Sequence, residues 1–311
     1  MAFNAGFTSF RAKDIDGAVP CALWYPTHET PQVYKHGVYD FNVAKNAQAS
    51  DAPLPLVMMS HGSGGTRFGH CKTAEFLAQH GYCVLAPEHP FNNFFDDSGV
   101  GSAKSYQNRS RHMKSALDAL LNDGTWGTRI DPNRIAVFGF SLGGFTALTC
   151  VGAKPYVDGL RHHIRAHREF DPIFCGYEVI VRDGFDAPYL PTTPDPRYKA
   201  CIALAPVSGG LFPTESLQNI SVPLQIWRAE HDMVLRNPFH AEEIKNNLPH
   251  GCDYHVTKKA GHFSYLSPVR DDAKHSLGEL ANDNPGFDRK AAHQDMHSKI
   301  LMFLGKSLGK T

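Results

Sequence analysis

Short apolar runs recur along the chain, separated by stretches whose apolar residues fall at helical spacing. Leu54 to Ser60 (LPLVMMS), Tyr82 to Ala86, Ile135 to Phe138, the run KACIALA after Tyr198, and Val222 to Trp227 read as strands, the apolar ones fit for burial on both faces. Asp253 to Thr257 reads as the last strand. Between them lie predicted helices. Phe68 to His80 carries Cys71, Ala74, Phe76, Leu77 and Ala78, and Gly81 caps it. Ser105 to Leu121 presents Met113, Ala116, Leu117, Leu120 and Leu121 on one face. Gly144 to Cys150 follows the Ile135 strand at once. Asn237 to Leu248 has Ala241, Ile244 and Leu248 as its apolar positions. Arg289 to Leu308 closes the chain with a stripe of Met296, Ile300, Phe303 and Leu304. Strand and helix in alternation predict an α/β fold, a mainly parallel twisted sheet with helices on both faces.

Two segments interrupt that rhythm. Phe7 to Lys13 and Ala18 to Tyr25, joined by Asp14-Ile15-Asp16-Gly17, predict an N-terminal hairpin. Residues 27 to 53 are polar and read as an irregular surface excursion over one edge of the site. Residues 154 to 197 hold a charged helical piece, Val157 to Phe170, then Pro172, Gly176, Gly184 and a proline-rich run. That is too long for an ordinary connection. It reads as a cap or lid inserted into a single domain spanning residues 1 to 311.

Composition narrows the function classes. Of 311 residues, 31 are Lys or Arg and 31 are Asp or Glu, so there is no net charge to attract nucleic acid. No apolar run reaches the roughly 18 residues that would span a membrane. The first residues, MAFNAGFTSF, lack the pattern of a signal peptide. A cytoplasmic location is expected for the chain as given, or a periplasmic or secreted one if a signal peptide has been removed. The seven cysteines are scattered without a C-x-x-C pair, which suits a reduced compartment and thiols that act as small core groups.

Candidate chemistry gathers at Gly139-Phe140-Ser141-Leu142-Gly143. A G-x-S-x-G pattern between a strand and a helix lifts the serine out on a sharp, strained turn. A serine hydroxyl needs a base, and the base an orienting acid. In parallel sheets such groups sit in loops at the carboxyl ends of strands. After VPLQIW comes Arg228-Ala229-Glu230-His231-Asp232; after DYHVT comes Ala260-Gly261-His262. The base is assigned to His262, with His231 and His255 as its rivals, and the acid to Asp232 in preference to Glu230. The oxyanion needs N–H donors. One is expected from Leu142, next to the nucleophile. The other is expected from Ser63 in His61-Gly62-Ser63-Gly64-Gly65, after the first buried strand.

Other features are read more plainly. His163 and His167 share a helix face and invite a metal reading, but no carboxylate is evidently placed beside them, so a solvated or pocket-facing lid helix is expected. Glu88-His89-Pro90 either lines the pocket or is simple loop. Phe91, Phe94 and Phe95 either contact an acyl chain or anchor the loop, and Phe140 reads as core. Gly62, Gly64 and Gly65 lack the Lys-Ser/Thr ending of a phosphate-binding loop.

The stretches PLVMMSHGSGG, LAQHGYCVLAPEHP, GFSLGG and AGHFSYLSP resemble the α/β-hydrolase fold over nearly the whole chain. They are more closely similar to bacterial proteins labelled predicted dienelactone hydrolases, related to platelet-activating-factor acetylhydrolases. The resemblance implies a serine carboxylic-ester hydrolase with Ser141, His262 and Asp232 as its triad and Ser63 and Leu142 at the oxyanion hole. Two departures limit it. Dienelactone hydrolases use a cysteine nucleophile where this chain has Ser141. In the acetylhydrolases the acid follows the strand matching CIALA, where this chain has Ala205-Pro206.

The expected function is therefore hydrolysis of a small-molecule or lipid ester through an acyl-enzyme, with no metal or organic cofactor implied. Acyl transfer or peptide cleavage on the same triad is the enzymatic alternative. A non-catalytic ligand-binding protein of this fold is the other.

Overall fold

The computed structural model describes residues 3–51, 53–176 and 187–309. Ten strands form one sheet in the order β10-β9-β8-β7-β5-β6-β2-β1-β4-β3. Six run parallel: β10 (Asp253–Thr257), β9 (Leu224–Ala229), β8 (Tyr198–Leu204), β7 (Ile130–Phe140), β5 (Leu54–Ser60) and β6 (Cys83–Pro87). The N-terminal hairpin, β1 (Asn4–Asp14) and β2 (Gly17–Thr27), extends the sheet by antiparallel pairing of β2 on β6.

Residues 27 to 53 are not irregular. β3 (Gln32–His36) and β4 (Tyr39–Lys45) form a second hairpin, and β4 pairs parallel to β1. Phe41 and Val43 alternate inward along β4, and Phe41 stacks among Phe7, Trp24 and Phe68. The polar residues between them lie on the more open face of β4, and β3 outside it is an edge strand with no buried residue, which is why the stretch looks like loop in sequence. Its turn does reach the site edge, because His36 to Tyr39 line a cavity described below.

The central strands alternate between two cores. Leu56, Met58, Ile135 and Val137 face one; Val57, Met59, Ala136 and Phe138 face the other. This period of two explains the unbroken apolar runs, since both faces are covered. On the first face lie α2 (Ala103–Leu121), α3 (Leu142–Cys150) and α7 (Ala241–Asn247). On the second lie α1 (Cys71–Gln79) and α8 (Arg289–Leu308), whose Met296, Ile300, Phe303 and Leu304 are buried as the stripe requires. Ser102 and Asp288 cap α2 and α8 by accepting from backbone N–H groups of the first turn. The helix expected from Asn237 starts later, at Ala241. All seven cysteines are free thiols and six are buried, and burial pushes the thiols of the sheet strands upward, as at Cys21 to about 12.

Between α3 and β8 lie α4 (Val157–Ala166), shorter than the helix expected to Phe170, and α5 (Pro172–Gly176). A short helix, α6 (Thr214–Leu217), follows β8. Residues 177 to 186, including Gly184 of the expected cap, lie outside the described residues. Among the described residues no helix is long and apolar enough to cross a membrane.

Candidate active site

Strand β7 ends at Phe140, and α3 begins at Leu142. Ser141 alone makes the turn, with φ 56° and ψ −119°. A non-glycine side chain in that region is strained and persists only when the surroundings impose it. Here they do. Ser141 N–H donates to the Leu204 carbonyl, and the Ser141 carbonyl accepts from Gly144 and Val207. The turn is also tight: a Cβ at Gly139 would stand 1.8 Å from the Gly143 carbonyl oxygen, and one at Gly143 would stand 2.1 Å from that of Ser60. Neither position tolerates a side chain without backbone movement.

Ser141 Oγ lies 3.1 Å from His262 Nε2, and His262 Nδ1 lies 2.8 Å from Asp232 Oδ2. His262 is buried in a short 3-10 turn after β10, with the Phe140 ring 4.9 Å from its own. Asp232 follows β9. Its other oxygen, Oδ1, accepts from the N–H groups of Val234 and Leu235, so the carboxylate is fixed before the imidazole arrives. The structure thus brings Ser141, His262 and Asp232 into one line. Glu230 points elsewhere, accepting from Lys258 Nζ and the Lys259 N–H. His231 is exposed, and His255 stacks on Trp227 within the strand pair β9–β10.

Ser63 and Leu142 line the same cavity as Ser141 and His262, a space of about 140 Å³. Neither backbone N–H has an acceptor among the described residues. Gly62 lies against the nucleophile, its Cβ position 3.3 Å from Ser141 Cβ. An adjoining cavity of about 250 Å³ shares Gly62, Ser63, Phe140 and Phe263 with the first. Apolar side chains dominate its wall, among them Phe94, Phe95, Leu266 and Leu280. Phe94 and Phe95 therefore belong to the site's surroundings, whereas Phe91 lines a separate cavity beside α2. Phe140 is buried as expected but also forms part of both walls.

His89 does not line the site. It is buried beneath it, 2.9 Å from Ser60 Oγ, while Glu88 pairs with Arg67. Burial, reinforced by the nearby Arg109 guanidinium, holds His61 and His89 well below the ordinary imidazole value.

Two side-chain groups among the described residues have the composition of metal sites. His163, Asp171 and Cys175 come together in the segment between α3 and β8. The expectation of no carboxylate near His163 fails, because Asp171 folds back to it. Its Oδ2 lies 3.0 Å from His163 Nε2 and 2.9 Å from His240 Nε2, and Oδ1 accepts from Arg236 N–H. The carboxylate thus already accepts from three donors. Ser208 N–H donates to His240 Nδ1, which leaves the proton on Nε2 and directs it at Asp171. In the second group, Asp14, Asp16 and His112, the Arg111 guanidinium occupies the place a cation would take.

The alpha/beta hydrolase family model matches residues 56–271. Among curated proteins, the chain is 29% identical to dipeptidyl aminopeptidase BIII of Pseudoxanthomonas mexicana over 142 residues, 44% of this chain and 18% of that protein. It is 24% identical to cutinase est2 of Thermobifida alba over 212 residues, 67% of this chain and 52% of that one. The matches thus span from under a fifth to about half of these relatives' length. Among solved structures, a ferulic acid esterase from Streptomyces cinnamoneus superposes with a TM-score of 0.65 at 18% identity, covering 99% of this chain and 91% of the other.

Proposed function

The chain belongs to the alpha/beta hydrolase family and has its fold, and from that premise we propose that it hydrolyses carboxylic esters through an acyl-enzyme on Ser141. The observation that carries this reading is the line Ser141 Oγ–His262 Nε2–Asp232 Oδ2 on a strained turn that faces two open N–H groups. Ser141 attacks the carbonyl carbon while His262 Nε2 takes its proton. Asp232 holds the imidazole by its Nδ1–H and stabilises the imidazolium. The N–H groups of Leu142 and Ser63 receive the oxyanion. His262 returns the proton to the departing alcohol. Water, activated by the same imidazole, then releases the acid and frees Ser141.

The adjoining apolar cavity supports an ester with an alkyl or aryl group on one side of the carbonyl. The names of the relatives, cutinase and ferulic acid esterase, agree with that class. We read the described parts of residues 154–197 as a cap over the cavity that holds Ser141; Phe174 of α5 in that cavity's wall supports it. The stretches HGSGG, GFSLGG and AGHFSYLSP support a place beside the dienelactone hydrolase-like proteins related to platelet-activating-factor acetylhydrolases. The similarity to a dipeptidyl aminopeptidase favours peptide cleavage as the second reading.

A series of p-nitrophenyl esters of increasing acyl length, run beside aminoacyl and dipeptidyl p-nitroanilides, tests both. Ester turnover that disappears in Ser141→Ala is expected. Turnover of the anilides alone would favour the peptidase, and turnover of neither would overturn the hydrolase reading.

A further inference from the structure

A guanidinium lies buried beneath the site. Arg109 of α2 is 1% exposed, yet none of its bonded acceptors is a carboxylate. Burying a charge without a counter-ion is costly, and a Met or Leu would fill the same space without that cost. What Arg109 holds indicates why the charge is there. Its Nη2 donates to the His61 carbonyl, in the loop that carries Ser63, and lies 3.4 Å from Ser60 Oγ. Its Nη1 donates to Asn92 Oδ1 at 2.6 Å, and Asn92 Nδ2 donates in turn to Ser63 Oγ at 3.1 Å. Its Nε donates to Thr146 Oγ1 at 3.0 Å, and Thr146 Oγ1 donates to the Leu142 carbonyl at 2.9 Å. One side chain is thereby tied to both residues assigned as oxyanion donors, which come from opposite sides of the nucleophile.

We propose that Arg109 is the positioning residue of the oxyanion hole: it sets the spacing of the Ser63 and Leu142 N–H groups and places a fixed positive charge behind them. This inference rests on the hydrolase reading above. Donors held in place before the reaction need no reorganisation when charge develops, and a buried cation acts there through a low dielectric. Burial pushes Arg109 down to about 9, which leaves it charged at neutral pH. The hydrogen bond at the His61 carbonyl also polarises the peptide whose N–H belongs to Gly62. Arg109 touches no reacting atom, so its effect appears in the transition state and spares ground-state binding.

The test compares Arg109→Met, Arg109→Lys, Asn92→Ala and Thr146→Val with the wild-type chain. For each variant, kcat and KM for a p-nitrophenyl ester are measured, with the inhibition constant of an alkyl trifluoromethyl ketone. That ketone adds Ser141 Oγ and places an oxyanion where the tetrahedral intermediate would put one. Arg109→Met is expected to lower kcat by about 100-fold and ketone affinity in parallel, with KM within about threefold of wild type. Arg109→Lys, which keeps the charge but not the fork, should recover about tenfold of that loss. Asn92→Ala and Thr146→Val each cut one tie and leave the cation, and should cost about tenfold in both readouts. They decide the matter if Arg109→Met does not fold. The proposal is overturned if the folded variants keep kcat and ketone affinity within about twofold, or if KM rises as far as kcat falls. A wild-type chain that neither turns over esters nor binds the ketone would instead sink the hydrolase reading, and this inference with it.

Discussion

The molecule holds two buried pairings of aspartate with histidine, and they differ in what the second nitrogen of the imidazole meets. At the first, His262 gives Nδ1 to Asp232 and keeps Nε2 for Ser141. At the second, His163 and His240 both turn Nε2 to the same oxygen of Asp171, and the other nitrogen of His240 accepts from Ser208 N–H. The residue types are the same and the distances nearly so. What differs is the free nitrogen and what it meets. A carboxylate–imidazole pair can relay a proton only when the far nitrogen reaches a group that reacts. The Asp171 cluster instead fastens α4 to the segment that precedes α7.

Substitutions should separate the two by what they damage. The largest effect is expected at Ser141. Ser141→Ala should lower kcat for esters by about 10⁶-fold, leaving stability equal to or slightly above wild type. Asp232→Asn should lower kcat by about 10⁴-fold with little change in unfolding midpoint, because the imidazole loses its orienting acceptor. The matched change at the other cluster, Asp171→Asn, should do the reverse. We expect kcat within about tenfold of wild type and a loss of about 3 kcal/mol in urea unfolding, since two buried imidazole donors lose their shared acceptor. Equal losses of activity at both aspartates would erase the distinction.

Why one cluster is visible in sequence and the other is not follows from chain distance. Ser141 sits in a five-residue pattern between a strand and a helix, so its turn is a local property. His262 and Asp232 are far from it but lie in loops after strands, where a parallel sheet delivers its functional groups. Asp171 has no such address. Its partners lie 8 and 69 positions away, with no shared periodicity or strand end to announce them. Arg109 left one mark: it stands four residues before Met113, on the apolar face of α2, where a charge is out of place. The β3–β4 hairpin hid because β3 is an edge strand with no buried residue and β4 buries only Phe41, Val43 and Ala44.

Acid sharpens the comparison further. Burial raises the Asp171 carboxyl, but the hydrogen bonds from His163 and His240 outweigh it and hold the group down at about 2, against an ordinary 3.8. A carboxyl held low in the folded state contributes stability above its ordinary value, and that contribution is lost as pH falls toward the folded one. Wild type should therefore lose stability between about pH 4 and 2 more steeply than Asp171→Asn, as followed by urea midpoints at each pH. The same slope in both would show that the cluster is not what acid breaks.

The smallest effect is expected at Glu230, the acid that the sequence set beside Asp232. Its carboxylate faces Lys258 at the surface. Glu230→Gln should leave kcat within about twofold of wild type, as screened surface pairs do little. A loss approaching that of Asp232→Asn would reverse the choice between them.

The most direct measurement is covalent. The chain is treated with a fluorophosphonate at neutral pH, digested, and its peptides are weighed. A single phosphonyl group on the peptide bearing Ser141, absent from Ser141→Ala and strongly slowed in His262→Ala, is the predicted result. No adduct, or one on another residue that persists in Ser141→Ala, would contradict the claim that Ser141 is the nucleophile.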